Sequence, residues 1–179
     1  MTDPTLTARR LERLRLSRQG VRRAAAVAAP PGSSASLRAG QLAAAVGGRV
    51  EQGPAGPVVV VESAGEVPLD HERLATLPYP IDLQRPLVCL DTETTGLGTA
   101  AGTLVFLVGL GSWDGQRFVV RQYLLPDHPD EPAFLDAVAA AIPDGAWLVT
   151  YNGRGFDWPL LVTRFRMQRR PPPLHAGHL

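Results

Sequence analysis

Leu87-Val88-Cys89-Leu90-Asp91-Thr92-Glu93-Thr94-Thr95-Gly96-Leu97 is the stretch that decides how this chain is read. Its first four residues are apolar, a run of the length expected of a buried strand. The run leads into two acids one residue apart and then a Thr-Thr-Gly turn. Side chains two apart on an extended backbone share a face, so Asp91 and Glu93 project together. Neighbouring carboxylates repel unless a cation lies between them. Hard oxygen donors in this arrangement suit Mg²⁺ or Mn²⁺. Taken alone, an Asp-x-Glu is also what an exposed acidic turn looks like. The core strand before it and the turn after it set this pair apart.

Working outward, Leu104 to Gly111 and Arg117 to Leu125 read as two further strands, joined by the turn signal Trp113-Asp114-Gly115. Pro132 opens a helix with Phe134, Leu135, Val138 and Ile142 on one face, and Pro143-Asp144-Gly145 stops it. Trp147 to Tyr151 is a fourth strand and Pro159 to Phe165 another helix. Three antiparallel strands, a helix, a strand and a helix predict an α/β domain on a mixed sheet over 86–179. Upstream, Leu37 to Val46 reads as a helix ended by Gly47-Gly48. Arg49 to Glu51 and Val58 to Glu62 read as a hairpin, and 68–85 as a connector. Residues 36–85 thus form an accessory layer too small to bury much core alone. Residues 1–35 form a basic N-terminal segment, with a helix from Arg9 to Ala29 and a Pro-Pro-Gly-Ser-Ser linker. An organelle transit peptide has a similar arginine-rich texture.

Composition narrows the chemistry. The chain has 179 residues, 45% of them hydrophobic, and all 18 of its basic side chains are arginine. Without lysine there is no Schiff base, no phosphate-loop lysine and no kinase lysine. The single cysteine, Cys89, excludes a disulfide framework and multi-cysteine metal sites; it reads as an inert thiol in a core strand, and the cytoplasm as the compartment. The apolar runs are far shorter than the ~18 residues of a membrane span. Charge is segregated: residues 86–160 hold nine acids against three arginines, while 161–179 hold four arginines and no acid. An acidic centre between basic flanks suits a metal-dependent enzyme acting on a polyanion, and equally a domain with solubilising tails.

A second polar cluster, Tyr151-Asn152-Gly153-Arg154-Gly155-Phe156-Asp157-Trp158-Pro159, also follows an apolar strand and precedes a helix. Read by itself, Asp157 is a helix N-cap ahead of a proline at the helix start. Read with the first cluster, it is a third carboxylate. Asp91-Thr92-Glu93-Thr94-Thr95-Gly96-Leu97 resembles the first motif of the four-carboxylate (DEDD) exonucleases, and Asn152 with Phe156-Asp157 resembles their second. The overall match is to the YprB-type ribonuclease H-like family, over roughly residues 37–179, including the helix and hairpin ahead of the main sheet.

The resemblance implies a ribonuclease H-like mixed sheet flanked by helices and a 3′–5′ exonuclease that uses two Mg²⁺ or Mn²⁺ ions. In that family pattern Asp91, Glu93 and Asp157 hold the metals. Thr94, Thr95, Gly96 and Leu97 seat the terminal nucleotide of a single-stranded 3′ end, Asn152 steadies it, and Phe156 packs beneath. Arg154 is a weaker phosphate candidate. Arg164, Arg166, Arg169 and Arg170 either track a nucleic-acid backbone or cover a helix end. His175 and His178 look like half of a metal site, but Pro171-Pro172-Pro173 argues against a helix leading to them. The family's fourth carboxylate belongs to a later strand and helix. The chain is therefore expected to lack them, to be nearly inactive as it stands, and to expose Trp158, Leu160 or Leu161. Two other readings compete: a non-catalytic nucleic-acid-binding module of the same fold, and a haloacid-dehalogenase-like phosphatase. The phosphatase pattern needs Asp at position 93 and a downstream lysine, and the chain has neither.

Overall fold

The computed structural model describes residues 33–78, 81–96 and 102–179. The helix expected from Arg9 to Ala29, and Leu97, expected to seat the terminal nucleotide, lie outside them. One seven-stranded mixed sheet organises the chain. Its strands are β1 (Arg49–Gly53), β2 (Gly56–Glu66), β3 (Leu87–Thr94), β4 (Val105–Asp114), β5 (Arg117–Leu124), β6 (Ala146–Val149) and β7 (His175–His178), in the spatial order β1-β2-β5-β4-β3-β6-β7. Strands β3, β4 and β5 form an antiparallel meander, and β6 and β7 add in parallel beyond β3. Counted from β3, the central order is 3-2-1-4-5. The hairpin β1–β2 extends the same sheet, because β2 pairs antiparallel with β5 from Val59 to Glu66.

Helices cover the two faces unequally. Helix α1 (Ser34–Val46) is capped by Ser33, whose hydroxyl accepts from the Ser36 N–H, and ends at Gly47 in the left-handed region. It packs Ala39 and Ala43 on Val59 at the hairpin end of one face. Helices α3 (Glu131–Ala141) and α4 (Asp157–Met167) pack on the opposite face. There Val88, Leu90, Val108 and Leu110 meet Phe134, Leu135, Leu160, Leu161 and Phe165 in one core. Each such fully buried aliphatic or aromatic side chain contributes about 1.5–3 kcal/mol. A bidentate ion pair sets α4 against α3. Arg164 Nε and Nη2 each donate to a Glu131 carboxylate oxygen at 2.6 Å, and both side chains are almost wholly buried.

Several expectations need correcting. The connector holds a short helix α2 (His71–Ala75), capped by Asp70. Strand β3 does not stop at Leu90 but runs to Thr94, so the acids lie inside a paired strand. Residues 175–178, which carry no strand signal, form β7. The backbone can pass there because Gly177 has no side chain: a Cβ would stand 2.0 Å from Trp147 Cζ3. Leu160 and Leu161 are fully buried and Trp158 is half-buried, so α4 does not expose the apolar surface expected of it. Its partners are α3 and the sheet.

Candidate active site

Alternation along β3 sorts the first motif between the two faces. Val88, Leu90 and Thr92 are buried toward α3 and α4; Asp91 and Glu93 are exposed on the other side. That other side is a groove of about 570 Å³ over the centre of the sheet. Asp91 and Glu93 line it with Cys89, Gly109, Val120 and Tyr151. Opposite the acids in the ladder stand Gly109 and Leu107. Glycine across from Asp91 keeps the carboxylate free of a bulky cross-strand neighbour. Cys89 is half-buried in the groove rather than sealed in the core. Burial still pushes its thiol above the ordinary value, which keeps it protonated and a poor nucleophile.

Beyond Glu93 the ladder shifts register at Thr94, and the turn is held by its own hydroxyls. Thr94 Oγ1 donates to the Gly96 carbonyl at 2.7 Å. Thr95 Oγ1 accepts from the Leu104 N–H at 3.0 Å, and the Thr95 N–H donates to the Leu104 carbonyl at 3.0 Å. These bonds hold the Thr94–Gly96 turn at the end of β3.

Asp157 enters from the opposite face. It is the first residue of α4, with Phe156 in the cap position and no side-chain cap hydrogen bond. The N-cap reading of Asp157 is therefore wrong: its side chain turns to the sheet, where Oδ1 accepts a hydrogen bond from the Thr92 hydroxyl. Only 6% of Asp157 is exposed. The two motifs meet at this Thr92–Asp157 contact, on the far side of β3 from Asp91 and Glu93. Thr92 went unread in the sequence. The signal that would have found it is the alternation itself, which turns the middle residue of Asp-x-Glu toward whatever packs behind the strand.

Around Asp157, Asn152 is exposed with φ 58, a left-handed conformation that Asn tolerates better than most residues. Its carbonyl accepts from the Gly155 N–H at 3.1 Å. Phe156 packs against the core. His175 and His178 sit on β7 with ring centroids 6.1 Å apart, and Trp158 lies edge-on to His175 at 4.9 Å. Burial, His175 and Arg154 lower the pKa of His178, while Asp157 pulls it up. The arginines divide. Arg164 is engaged by Glu131 and Arg170 by Asp136 at 3.1 Å, so of the two roles the sequence left open, these two do not track a backbone. Arg154, Arg166 and Arg169 are exposed.

As donors for a divalent cation, Asp91 and Glu93 fit in chemistry and placement: hard oxygens on one exposed face. Asp157 fits in chemistry, with Oδ1 engaged by Thr92. Among the described residues, no group of three or more His, Cys, Asp or Glu side chains is gathered tightly enough to hold an ion.

Residues 88–179 match the family model of the RNase_H superfamily. The chain belongs to that superfamily. It is also 44% identical over 94 residues to the uncharacterized protein YprB of Bacillus subtilis (strain 168), an alignment covering 51% of this chain and 22% of the relative. The chain thus spans about a fifth of the length of the curated relative it matches. The strand order 3-2-1-4-5 and the flanking helices agree with a ribonuclease H-like fold, a fold that points to nuclease-type hydrolysis, nucleic acid and divalent metals. Among the described residues, no helix is long and apolar enough to cross a membrane.

Proposed function

We propose that this chain carries the site of a metal-dependent 3′–5′ exonuclease that hydrolyses phosphodiester bonds of single-stranded DNA or RNA ends. The observation that carries the reading is the Thr92–Asp157 hydrogen bond. It joins the two acid-bearing motifs through one strand, placing a third carboxylate directly behind the exposed Asp91–Glu93 pair. In this reading Asp91, Glu93 and Asp157 would hold Mg²⁺ or Mn²⁺, with Thr92 fixing the Asp157 carboxylate. Two such ions would supply a deprotonated water and stabilise the leaving 3′-oxygen. The protein's own residues do the rest. The Thr94–Gly96 turn and Asn152 seat the terminal nucleotide, and Phe156 supports the loop from the core. We place the protein in the cytoplasm.

Among the described residues no three-donor cluster is gathered, which favours a second reading, a module of the same fold that binds nucleic acid without cutting it. One assay separates them. Oligonucleotides with a 3′-hydroxyl or a 3′-phosphate are incubated with Mn²⁺ and either this chain or the longest reading frame that contains it. The exonuclease reading expects 5′-mononucleotides from the free 3′ end only. Binding without metal-dependent release supports the module, and digestion of closed circles points to an endonuclease.

A further inference from the structure

The loop that leads into Asp157 is tied at its back to β7, and Thr150 is the knot. The Thr150 N–H donates to the Leu179 carbonyl at 3.2 Å, and the Leu179 N–H donates to the Leu148 carbonyl at 2.8 Å. The β6–β7 pairing therefore reaches the base of the loop. The Thr150 hydroxyl oxygen accepts from the Gly153 N–H at 3.1 Å and lies 2.7 Å from His178 Nε2. The same hydroxyl donates to the Leu179 carbonyl at 3.4 Å, and the imidazole's tautomer decides which partner donates in the Thr150–His178 contact.

Gly153 is the residue this knot requires. A Cβ at 153 would stand 2.5 Å from Thr150 Cβ and 2.6 Å from its Oγ1, closer than any real side chain tolerates. The Gly153 carbonyl in turn accepts from the Trp158 N–H at 2.9 Å, on the residue next to Asp157. A continuous hydrogen-bonded path thus runs from His178 on β7 through Thr150, Gly153 and the Trp158 amide to the first turn of α4. There Asp157 reaches Thr92.

We infer that Thr150 is a positioning residue for Asp157, and that His178 holds the Thr150 hydroxyl in the orientation this needs. The functional half of the inference rests on the exonuclease reading; the structural half does not. A side chain that fixes a ligand-bearing loop acts as outer-shell partners do at metal sites, where their loss weakens metal affinity or activity by about 10–100-fold.

The test compares the unaltered protein with T150V, which keeps the shape and removes the hydroxyl, T150S, which restores it, and H178A. Backbone amide exchange is read at Gly153 and Trp158, with Val88 and Leu148 as core references. Mn²⁺ binding is read by electron paramagnetic resonance. Gly153 should exchange about tenfold faster in T150V, the size of one lost buried hydrogen bond, with the core amides unchanged. T150S should restore slow exchange, H178A should loosen Gly153 partway, and Mn²⁺ affinity should follow the same order. If T150V does not fold, H178A carries the comparison. A Gly153 amide as slow in the folded T150V or H178A proteins as in the unaltered one overturns the inference. Faster exchange restored by T150S, with no Mn²⁺ uptake by any form, upholds the positioning role and overturns the nuclease reading instead.

Discussion

The two faces of β3 are built to opposite rules from the same eight residues. Toward α3 and α4, Val88, Leu90 and Thr92 are buried, and even the polar member is partnered, by Asp157. Toward the groove, Cys89 is half-buried while Asp91 and Glu93 stand in solvent. The packed face supplies stability, and its charges are paired inside it, as Glu131 and Arg164 are. The groove face holds like charges together with no basic side chain among its lining residues, an arrangement that contributes nothing to folding and is suited to a cation. A single strand thus separates what holds the protein together from what is available for chemistry.

Substitution on the groove face should break function and leave the fold. Asp91→Asn or Glu93→Gln should cut metal-dependent nucleotide release on the order of 10³-fold, the value of several kcal/mol of lost metal stabilisation. Urea midpoints should barely move, since exposed substitutions usually fall within about 0.5 kcal/mol. Substitution on the packed face should do the reverse. Glu131→Gln removes the carboxylate facing buried Arg164 and should destabilise by about 3–5 kcal/mol. Leu161→Ala opens a cavity in the same core and should cost about 2–5 kcal/mol. Comparable destabilisation by Asp91→Asn would erase the distinction between the faces.

A smaller effect sharpens the comparison at its edge, where β7 meets the Asp157 loop. Burial, with His175 and Arg154 nearby, holds His178 below its ordinary 6.5, and only Asp157 opposes this. A folded value below the unfolded one means that the unfolded chain binds more protons in that window. The associated stability is complete above 6.5 and is lost as pH falls toward the folded value. Urea midpoints at successive pH values should show this loss in the wild type and less of it in H178N, and an NMR titration should place the His178 midpoint below 6.5.

How much of this was legible beforehand follows from where the signals are local. The apolar run Leu87–Leu90, the turn at Gly115 and the amphipathic face of α3 are patterns within a few residues, and they placed the sheet and its main helices. The alternation that paired Asp91 with Glu93 also turned Thr92 the other way, but nothing nearby says what Thr92 meets, since its partner lies 65 residues on. Asp157 misled for the same reason: beside Trp158-Pro159 it looks like a cap, and only the tertiary contact shows it facing the sheet. Arg164 looked like one of four exposed arginines because its partner, Glu131, sits on another helix. Strand β7 was hidden in His175-Ala176-Gly177-His178, which has no strand propensity. Its glycine answers to the Trp147 ring, not to any local pattern.

The central claim is that Asp91, Glu93 and Asp157 act as one metal site although they stand on two sides of β3. Mn²⁺ titration followed by electron paramagnetic resonance, on the wild type, D91N and D157N, tests it directly. The account predicts saturable binding by the wild type that each substitution weakens by about tenfold or more, at least what an outer-shell partner is worth. Mn²⁺ affinity unchanged in D157N but lost in D91N would remove Asp157 from the site, and equal uptake by all three proteins would contradict the site altogether.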